Sequence, residues 1–211
     1  MSSESPLFKP LQIRGLSLPN RLVISPMCQY SADDGLSNDW HLAHLGKLAQ
    51  GGAAVVFTEA AAVQRRGRIT HGDLGIWTDA QAQALAGIAR FISSMGSVPA
   101  IQLAHAGRKA SMQRPWHGNG PLDDSDRARG DEPWPVIGPS AIALGEGWLV
   151  PSEMTPAEIA QVVEDFAAAA RRADNAGFGI AEVHAAHGYL AASFLSPISN
   201  HRTDIYGGDR A

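Results

Sequence analysis

The sequence of 211 residues contains a single cysteine, Cys28, and few charged side chains, at 18% of the total. One cysteine excludes an internal disulfide and any metal cluster built from cysteines alone, and it favours a reducing compartment such as the cytoplasm. No run approaches the ~18 consecutive apolar residues that a membrane helix requires. The net charge of −4 argues against partners such as nucleic acid or anionic lipid. Residues 1–10 lack a basic segment followed by an apolar one, so we expect no signal peptide.

Hydrophobic residues make up 45% of the sequence, which is typical of a globular protein with a substantial core. Four short apolar runs, each bounded by turn residues, have the character of buried parallel strands. They are Leu22–Ser25, Ala53–Glu59, Val98–Leu103 and Ile180–His184. Ahead of them, an alternating pattern around Gly15 predicts a small hairpin over about residues 11–18.

Helical patterns lie between these strands. The clearest begins at Thr155-Pro-Ala-Glu158, where threonine, proline and glutamate have the spacing of a capping box, and it ends before Gly177. A second helix is predicted to begin at Thr78 and to end before Gly96. A third extends from about Asp39 to Gln50.

This order of strands and helices predicts right-handed crossovers and a parallel sheet with helices packed outside it. An eight-stranded TIM (β/α)8 barrel requires roughly 250 residues, and only four of its strands can be placed here. The predicted fold class is therefore α/β, a partial barrel of about the first four βα units, with residues 1–211 as one domain. The charged segment His117–Pro133 lacks periodicity and predicts a loop, within a longer insertion over about residues 106–150.

Polar side chains follow the four strands at their C-terminal ends, the face on which a parallel barrel carries its active site. They lie in the segments Ser25-Pro-Met-Cys-Gln-Tyr30, Thr58-Glu-Ala60, Gln102-Leu-Ala-His-Ala-Gly-Arg-Lys109 and His184-Ala-Ala-His-Gly-Tyr189. From the residues alone, His184 and His187 are candidates for catalysis, for a metal pair or for hydrogen-bonded core histidines. Cys28 is equally suited to a buried apolar role.

Two further polar groups have less specific interpretations. The residues His105, Arg108 and Lys109 follow the third strand, and they could orient a phosphate or a nicotinamide or simply close their loop. A second group near the end of the sequence is predicted to form a structural loop network. It comprises His201, Arg202 and Asp204.

Taken together, four motifs resemble the old yellow enzyme family. They are Ser25-Pro-Met-Cys28 with Tyr30, Ile101-Gln-Leu-Ala-His-Ala-Gly-Arg-Lys109, His184-Ala-Ala-His-Gly-Tyr-Leu190 and Ser199-Asn-His-Arg-Thr-Asp-Ile-Tyr-Gly-Gly208. Cysteine rather than threonine at position 28 is similar to the bacterial enoate reductase and xenobiotic reductase branch. The resemblance extends from about Leu7 to Gly208. It implies FMN bound at the C-terminal rim of a barrel, NADPH or NADH as hydride donor, and reduction of activated C=C bonds in unsaturated carbonyl or nitro compounds.

The resemblance also implies roles for individual residues. Tyr189 would protonate the alkene carbon next to the carbonyl, as a general acid. His184 and His187 would donate hydrogen bonds to the substrate oxygen, where negative charge develops. Tyr30 would line the substrate pocket. The residues implied to contact the flavin are Ser25, Pro26, Met27, Cys28, Ala60 and Gln102.

The family pattern continues beyond Gly208 into further βα units, which carry an arginine facing the flavin and phosphate-binding loops. We therefore expect a truncated form that needs the missing half for activity, as a homo-oligomer or with a complementary C-terminal fragment. Two alternatives stay open. One is a barrel metallohydrolase with His184, His187 and either His201 or Glu182 as zinc ligands. The other is a non-catalytic fragment that assembles without cofactor.

Overall fold

The computed structural model describes residues 5–208 of the chain. The remaining residues of the predicted domain, 1–4 and 209–211, lie outside this part. Residues 1–4 also belong to the segment in which no signal peptide is expected. The strands are β1 (Leu11–Ile13), β2 (Leu16–Leu18), β3 (Val23–Ile24), β4 (Val55–Ala62), β5 (Val98–Ala104), β6 (Ile137–Gly138), β7 (Ser152–Glu153) and β8 (Ile180–Val183). The helices are α1 (Asp39–Gln50), α2 (Asp79–Ser94), α3 (Asp124–Ala128), α4 (Pro156–Asn175) and α5 (Leu190–Phe194).

The central element is a parallel four-stranded sheet in the order β3-β4-β5-β8, and β1 and β2 form an antiparallel hairpin ahead of it. Side chains from the sheet and the long helices share one apolar core, in which Val56, Leu85 and Ile101 are fully buried. Strands apolar on both faces suit this arrangement, because helices cover one face and the barrel interior lies on the other. The predicted α/β class and partial barrel are confirmed.

The bounds of all four parallel strands differ from the predicted ones, those of β5 and β8 by one residue at the C-terminal end. β3 has only two residues and pairs with β4 alone, because it forms one edge of the described sheet. β4 extends past Glu59 to Ala62. Its register with β5 shifts between Phe57 and Ala60, so the polar pair Thr58-Glu59 occupies an irregularity inside the strand and does not end it.

The long helices begin where the capping residues predict. The side chain of Thr155 accepts a hydrogen bond from the backbone N–H of Glu158, and the Glu158 side chain returns to the backbone of Thr155. Thr78 and Gln81 form the same reciprocal pair at the start of α2. These bonds satisfy backbone donors that the first turn leaves unpaired. Within residues 5–208, no helix is both long enough and apolar enough to cross a membrane.

The prediction of a plain loop over His117–Pro133 is wrong. The segment contains the short helix α3, which the side chain of Asp123 caps by accepting hydrogen bonds from the N–H groups of Ser125 and Asp126. β6 lies further along the predicted insertion and forms a small parallel pair with β7, which lies just beyond its end. A helix of five residues is too short to produce an apolar periodicity, so only its capping residue could have indicated it.

Candidate active site

Three neighbouring strands present a row of side chains on the interior face of the sheet. Ala60 on β4 is in register with Gln102 on β5, and Gln102 is in register with Glu182 on β8. The Gln102 side chain donates a hydrogen bond from Nε2 to Glu182 Oε1 at 2.6 Å. Its own amide oxygen makes no hydrogen bond among the described residues. The row therefore offers a small apolar side chain, an amide acceptor and a carboxylate along one line.

Beyond the end of β8, the chain turns and brings three aromatic side chains together. The ring centroids of His184 and His187 are 5.0 Å apart, and Tyr189 lies 4.7 Å from His184 and 6.2 Å from His187. Residues three apart cannot share one face of a strand, and their convergence depends on the turn. His187 adopts a left-handed backbone with φ of 54°. Such a conformation is uncommon outside glycine and concentrates at functional sites.

The side chain of His184 is held in a defined tautomer. Its Nδ1 accepts a hydrogen bond from the backbone N–H of Ala186 at 3.2 Å. Burial, and the neighbouring His187, lower the pKa of His184 below its usual value. The neutral ring with Nδ1 as acceptor carries its proton on Nε2. His184 is therefore a hydrogen-bond donor at that nitrogen.

A cavity of about 320 Å³ opens at this cluster. Its walls combine predicted site residues with others: Tyr30, Ile69, Thr70, Lys109, Met112, Asn119, Leu144, Trp148, His187 and Tyr189. The Lys109 ammonium donates a hydrogen bond to the backbone carbonyl of His187 at 2.6 Å, which ties the loop after β5 to the loop after β8. The volume suits a small organic molecule.

Cys28 and Tyr30 lie on the first strand's side of this cavity. The Cys28 thiol contacts the backbone amide of Ala60 and the side chain of Tyr30. Burial raises the pKa of Cys28, and the carboxylates of Asp73 and Glu59 raise it further. Burial likewise raises the pKa of Tyr30 and of Tyr189. The thiol and both phenols are therefore protonated at neutral pH.

Three buried polar residues beneath the site were absent from the predicted set. Glu59 lies beside His41, with Oε1 and Nε2 3.3 Å apart, and its other oxygen accepts the backbone N–H of Gln29 at 2.9 Å. Asp73 accepts hydrogen bonds from the backbone N–H groups of Ile69 and Thr70. Burial raises the pKa of Asp73 to about 7. A carboxylate inside the apolar run of β4 was the available signal for Glu59, whereas His41 and Asp73 had none.

The other predicted flavin-contacting residues lie in the extended segment after β3. Ser25 and Met27 are exposed, and Pro26 is half-buried. The backbone carbonyl of Met27 accepts a hydrogen bond from the Gln29 side chain at 2.9 Å. This segment follows the end of β3, whereas the Ala60–Gln102–Glu182 row lies within β4, β5 and β8.

The remaining candidates have structural contacts. The buried side chain of His105 accepts a hydrogen bond from the backbone N–H of Gly107 and faces the side chain of Gln64. Burial lowers the pKa of His105 to about 3. Arg108 donates to the carbonyl oxygens of Ile142 and Ala143.

The second group, near the end of the sequence, forms the loop network that was predicted. The side chain of Arg202 is buried, donates to the backbone carbonyls of Pro139 and Met154, and pairs with Asp204. The backbone N–H of His201 donates to the Ser140 hydroxyl. Among residues 5–208, no group of three or more His, Cys, Asp or Glu side chains is placed to hold a metal ion. The metallohydrolase alternative therefore lacks a ligand set in this part of the chain.

Comparison with known proteins decides the family. Residues 6–211 match the model of the NADH:flavin oxidoreductase / NADH oxidase family. The chain belongs to this family. The resemblance to old yellow enzymes is thereby confirmed. Over 208 residues the chain is 48% identical to an NADH:flavin oxidoreductase of Gibberella zeae, covering 98% of this chain and 50% of that protein.

Further similar proteins support the same family assignment. An NADPH dehydrogenase of Bacillus subtilis is 44% identical over 204 residues, covering 96% of this chain and 54% of that protein. Among solved structures, morphinone reductase matches with a TM-score of 0.81 and 30% identity over 99% of this chain and 56% of its own. Old Yellow Enzyme from Pichia sp. matches with a TM-score of 0.82 and 29% identity, over 98% and 52% of the two chains. The chain spans about half the length of the curated relatives it matches.

Proposed function

We propose that this chain provides the substrate-activating half of an FMN-dependent, NAD(P)H-consuming ene-reductase that acts on unsaturated carbonyl or nitro compounds. One observation carries the proposal. His187, Tyr189 and Tyr30 line one cavity, and the His184 ring packs against His187 and Tyr189. Two imidazoles and a protonated phenol together suit polarisation of a substrate oxygen and proton delivery to a nearby carbon.

The residues of this rim fit the cofactor by the chemistry of their donors and acceptors. Gln102 has an open amide oxygen for an N–H on the polar edge of a flavin, and Ala60 beside it leaves room for a flat ring. Ser25, Pro26, Met27 and Cys28 would pack around that ring from the first strand's side. When bound, FMN would take hydride from NADPH or NADH and pass it to the substrate.

The histidines would act on the substrate oxygen. His184 carries its proton on Nε2 because Ala186 occupies Nδ1, and its lowered pKa keeps the ring neutral. A neutral donor held in place strengthens its hydrogen bond as negative charge grows on the substrate oxygen. His187 would supply the second hydrogen bond. Its ring is placed by the left-handed backbone and by the bond from Lys109 to its carbonyl.

Tyr189 would deliver the proton to carbon. Burial raises the pKa of its phenol, so the proton is present throughout the neutral range. Tyr30, whose edge packs against Trp116 with ring centroids 5.9 Å apart, would form the opposite wall and shape the substrate pocket.

The partners and the location belong to the same proposal. The relatives' greater length supports a complementary C-terminal segment or a second copy of the chain as the source of the flavin-phosphate site. A small-molecule enone or nitro compound would be the substrate. The single cysteine supports a cytoplasmic location.

Tyr189→Phe tests the assignment, with Tyr206→Phe as the matched control because Tyr206 packs against Phe194 instead of the cavity. FMN is added to the protein, with and without a fragment that corresponds to the C-terminal half of the longer relatives. Flavin reduction by NADPH and reoxidation by cyclohexenone are then followed separately. We expect Tyr189→Phe to slow reoxidation by about 10²–10⁴-fold while flavin reduction changes little.

Equal slowing of both steps would contradict the proton-donor role. A folded, colourless protein that never takes up FMN would favour the non-catalytic alternative.

A further inference from the structure

A second cavity, of about 410 Å³, lies at the loop that follows β4. Three arginines line it, and the guanidinium groups of Arg65, Arg66 and Arg68 give it positive charge. The other lining residues are His71, Glu132, Pro133 and Trp134. None of these residues lines the active-site cavity. They come from the segment after β4 and from residues 132–134.

Two of the guanidinium groups are each held by one hydrogen bond at Nε and keep their Nη atoms available to a ligand. Arg65 donates from Nε to Asp34 Oδ1 at 2.8 Å, and Arg66 donates from Nε to Gln64 Oε1 at 2.9 Å. The Nη atoms of both arginines make no hydrogen bond to any residue between 5 and 208. Glu158 is 3.7 Å from Arg66 Nη1, beyond hydrogen-bond distance. A guanidinium fixed through Nε presents its two Nη groups as a fork, the geometry that recognises phosphate.

The third arginine supplies a buried charge. Arg68 is 4% exposed and lies between the rings of Trp77 and Trp134, at 5.7 Å and 5.2 Å from their centroids. The Trp134 indole donates to the backbone carbonyl of Arg66 at 2.9 Å, which anchors the wall of the cavity. Cation–π contacts hold the charge in place, and Arg68 Nη1 donates a hydrogen bond to Asp34 Oδ1 at 3.2 Å.

The nearby carboxylates leave the cavity short of negative charge. One oxygen of Asp34 is shared between Arg65 and Arg68. The Glu132 carboxylate is 2.5 Å from Arg127, a residue outside the cavity lining. Asp34 and Glu158 are the two carboxylates within 4 Å of the three guanidinium groups among the described residues. Positive charge is therefore in excess at the cavity, and an anion would balance it.

We propose that this cavity binds a phosphate group. Resting on the proposed function, we assign that phosphate to the end of the dinucleotide hydride donor remote from its nicotinamide. Arg68 is followed directly by Ile69 and Thr70, which line the active-site cavity. At up to ~3.5 Å per residue, the two cavities lie within about 10 Å of each other along the backbone. An extended dinucleotide is long enough to reach both.

Titration of the purified protein with adenosine 2′,5′-bisphosphate tests the site. Binding is measured by isothermal titration calorimetry at low ionic strength, where screening of charges is weak. The double variant Arg65→Gln, Arg66→Gln removes both open forks. The control is Arg171→Gln, because Arg171 is an exposed, ion-paired arginine on α4 outside the cavity. Circular dichroism establishes that each variant is folded.

We expect the unaltered protein and Arg171→Gln to bind the nucleotide equally, and the double variant at least tenfold more weakly. No binding by the folded protein, or equal binding by the double variant, would overturn the proposal. Inorganic phosphate is titrated in parallel, and an affinity as high as that of the bisphosphate would overturn the nucleotide assignment. The measurement needs neither flavin nor substrate. Failure to take up FMN would thus contradict the proposed function and leave this result standing.

Discussion

Replacing Gly72 by alanine should displace Tyr30 from the wall of the active-site cavity. A Cβ atom at position 72 would lie 2.2 Å from the carbonyl oxygen of Tyr30 and 2.5 Å from its carbonyl carbon. Tyr30 has a left-handed backbone with φ of 53°, and the backbone carbonyl of Gly72 accepts a hydrogen bond from Ala32 at 2.8 Å. The two segments are therefore packed backbone against backbone. The third close atom, Arg114 Nε at 2.8 Å, belongs to a flexible side chain that can move, but the Tyr30 carbonyl cannot yield in this way.

The cost follows from the distances. Ordinary contact requires the Tyr30 carbonyl to retreat by about 1 Å, and such overpacking costs about 1–3 kcal/mol. For a protein of this size, each kcal/mol lowers the melting temperature by roughly 2–4 °C. Gly72→Ala should thus melt about 2–12 °C lower than the unaltered protein. The near-ultraviolet circular dichroism should also change, since the Tyr30 ring packs edge-on against Trp116.

Thermal unfolding followed by circular dichroism measures the effect. Gly15→Ala is the matched control, because a Cβ there meets nothing within 4 Å and neither glycine has a positive φ. Identical melting temperatures for the two variants would show that residues 30 and 72 do not approach each other as described.

Three further predictions concern stability. Gly87→Ala in α2 should raise the free energy of unfolding by about 0.5–1 kcal/mol, because its Cβ would meet only Arg90 at 3.9 Å. A lower free energy of unfolding, measured with urea, would contradict this. Gly107→Ala should lower the free energy of unfolding by about 1–3 kcal/mol, since φ is +61° and the Cβ would lie 3.0 Å from the Leu190 Cα. An unchanged midpoint of urea unfolding would contradict the close packing of the loop after β5 against the loop after β8. Burial raises the pKa of Asp73 to about 7, so its stabilising contribution is complete at low pH and is lost as pH rises through that value. Unfolding at pH 5 and 7.5 should show a loss of about 2–3 kcal/mol that Asp73→Asn lacks, and identical pH profiles would refute it.

Local patterns in the sequence were sufficient for the elements that position the site. The capping pairs Thr78–Gln81 and Thr155–Glu158 identified the starts of α2 and α4, because a cap is a contact between residues three apart. The apolar runs identified the four parallel strands. The short helix α3 escaped prediction because five residues cannot establish a period.

Contacts between residues that are distant in the sequence could not be predicted from local patterns. Glu59 and His41 form a buried pair from a strand and a helix, and their spacing in the sequence has no regularity to reveal it. Gln102 and Glu182 meet only because β5 and β8 are neighbours in register. The arginines at positions 65 and 66 are unremarkable in sequence, and their open forks depend on the positions of Asp34 and Gln64.

The amino-acid sequence by itself determined the order of the four parallel strands and three long helices, and the family, since periodicity, caps and motifs are properties of neighbouring residues. The tertiary structure decided which side chains share a cavity. It turned His184, His187 and Tyr189 toward one another through a left-handed residue, and tied them to the loop of Lys109. The physical reason is that such convergence is set by strand order and loop docking, which act between residues far apart in the chain.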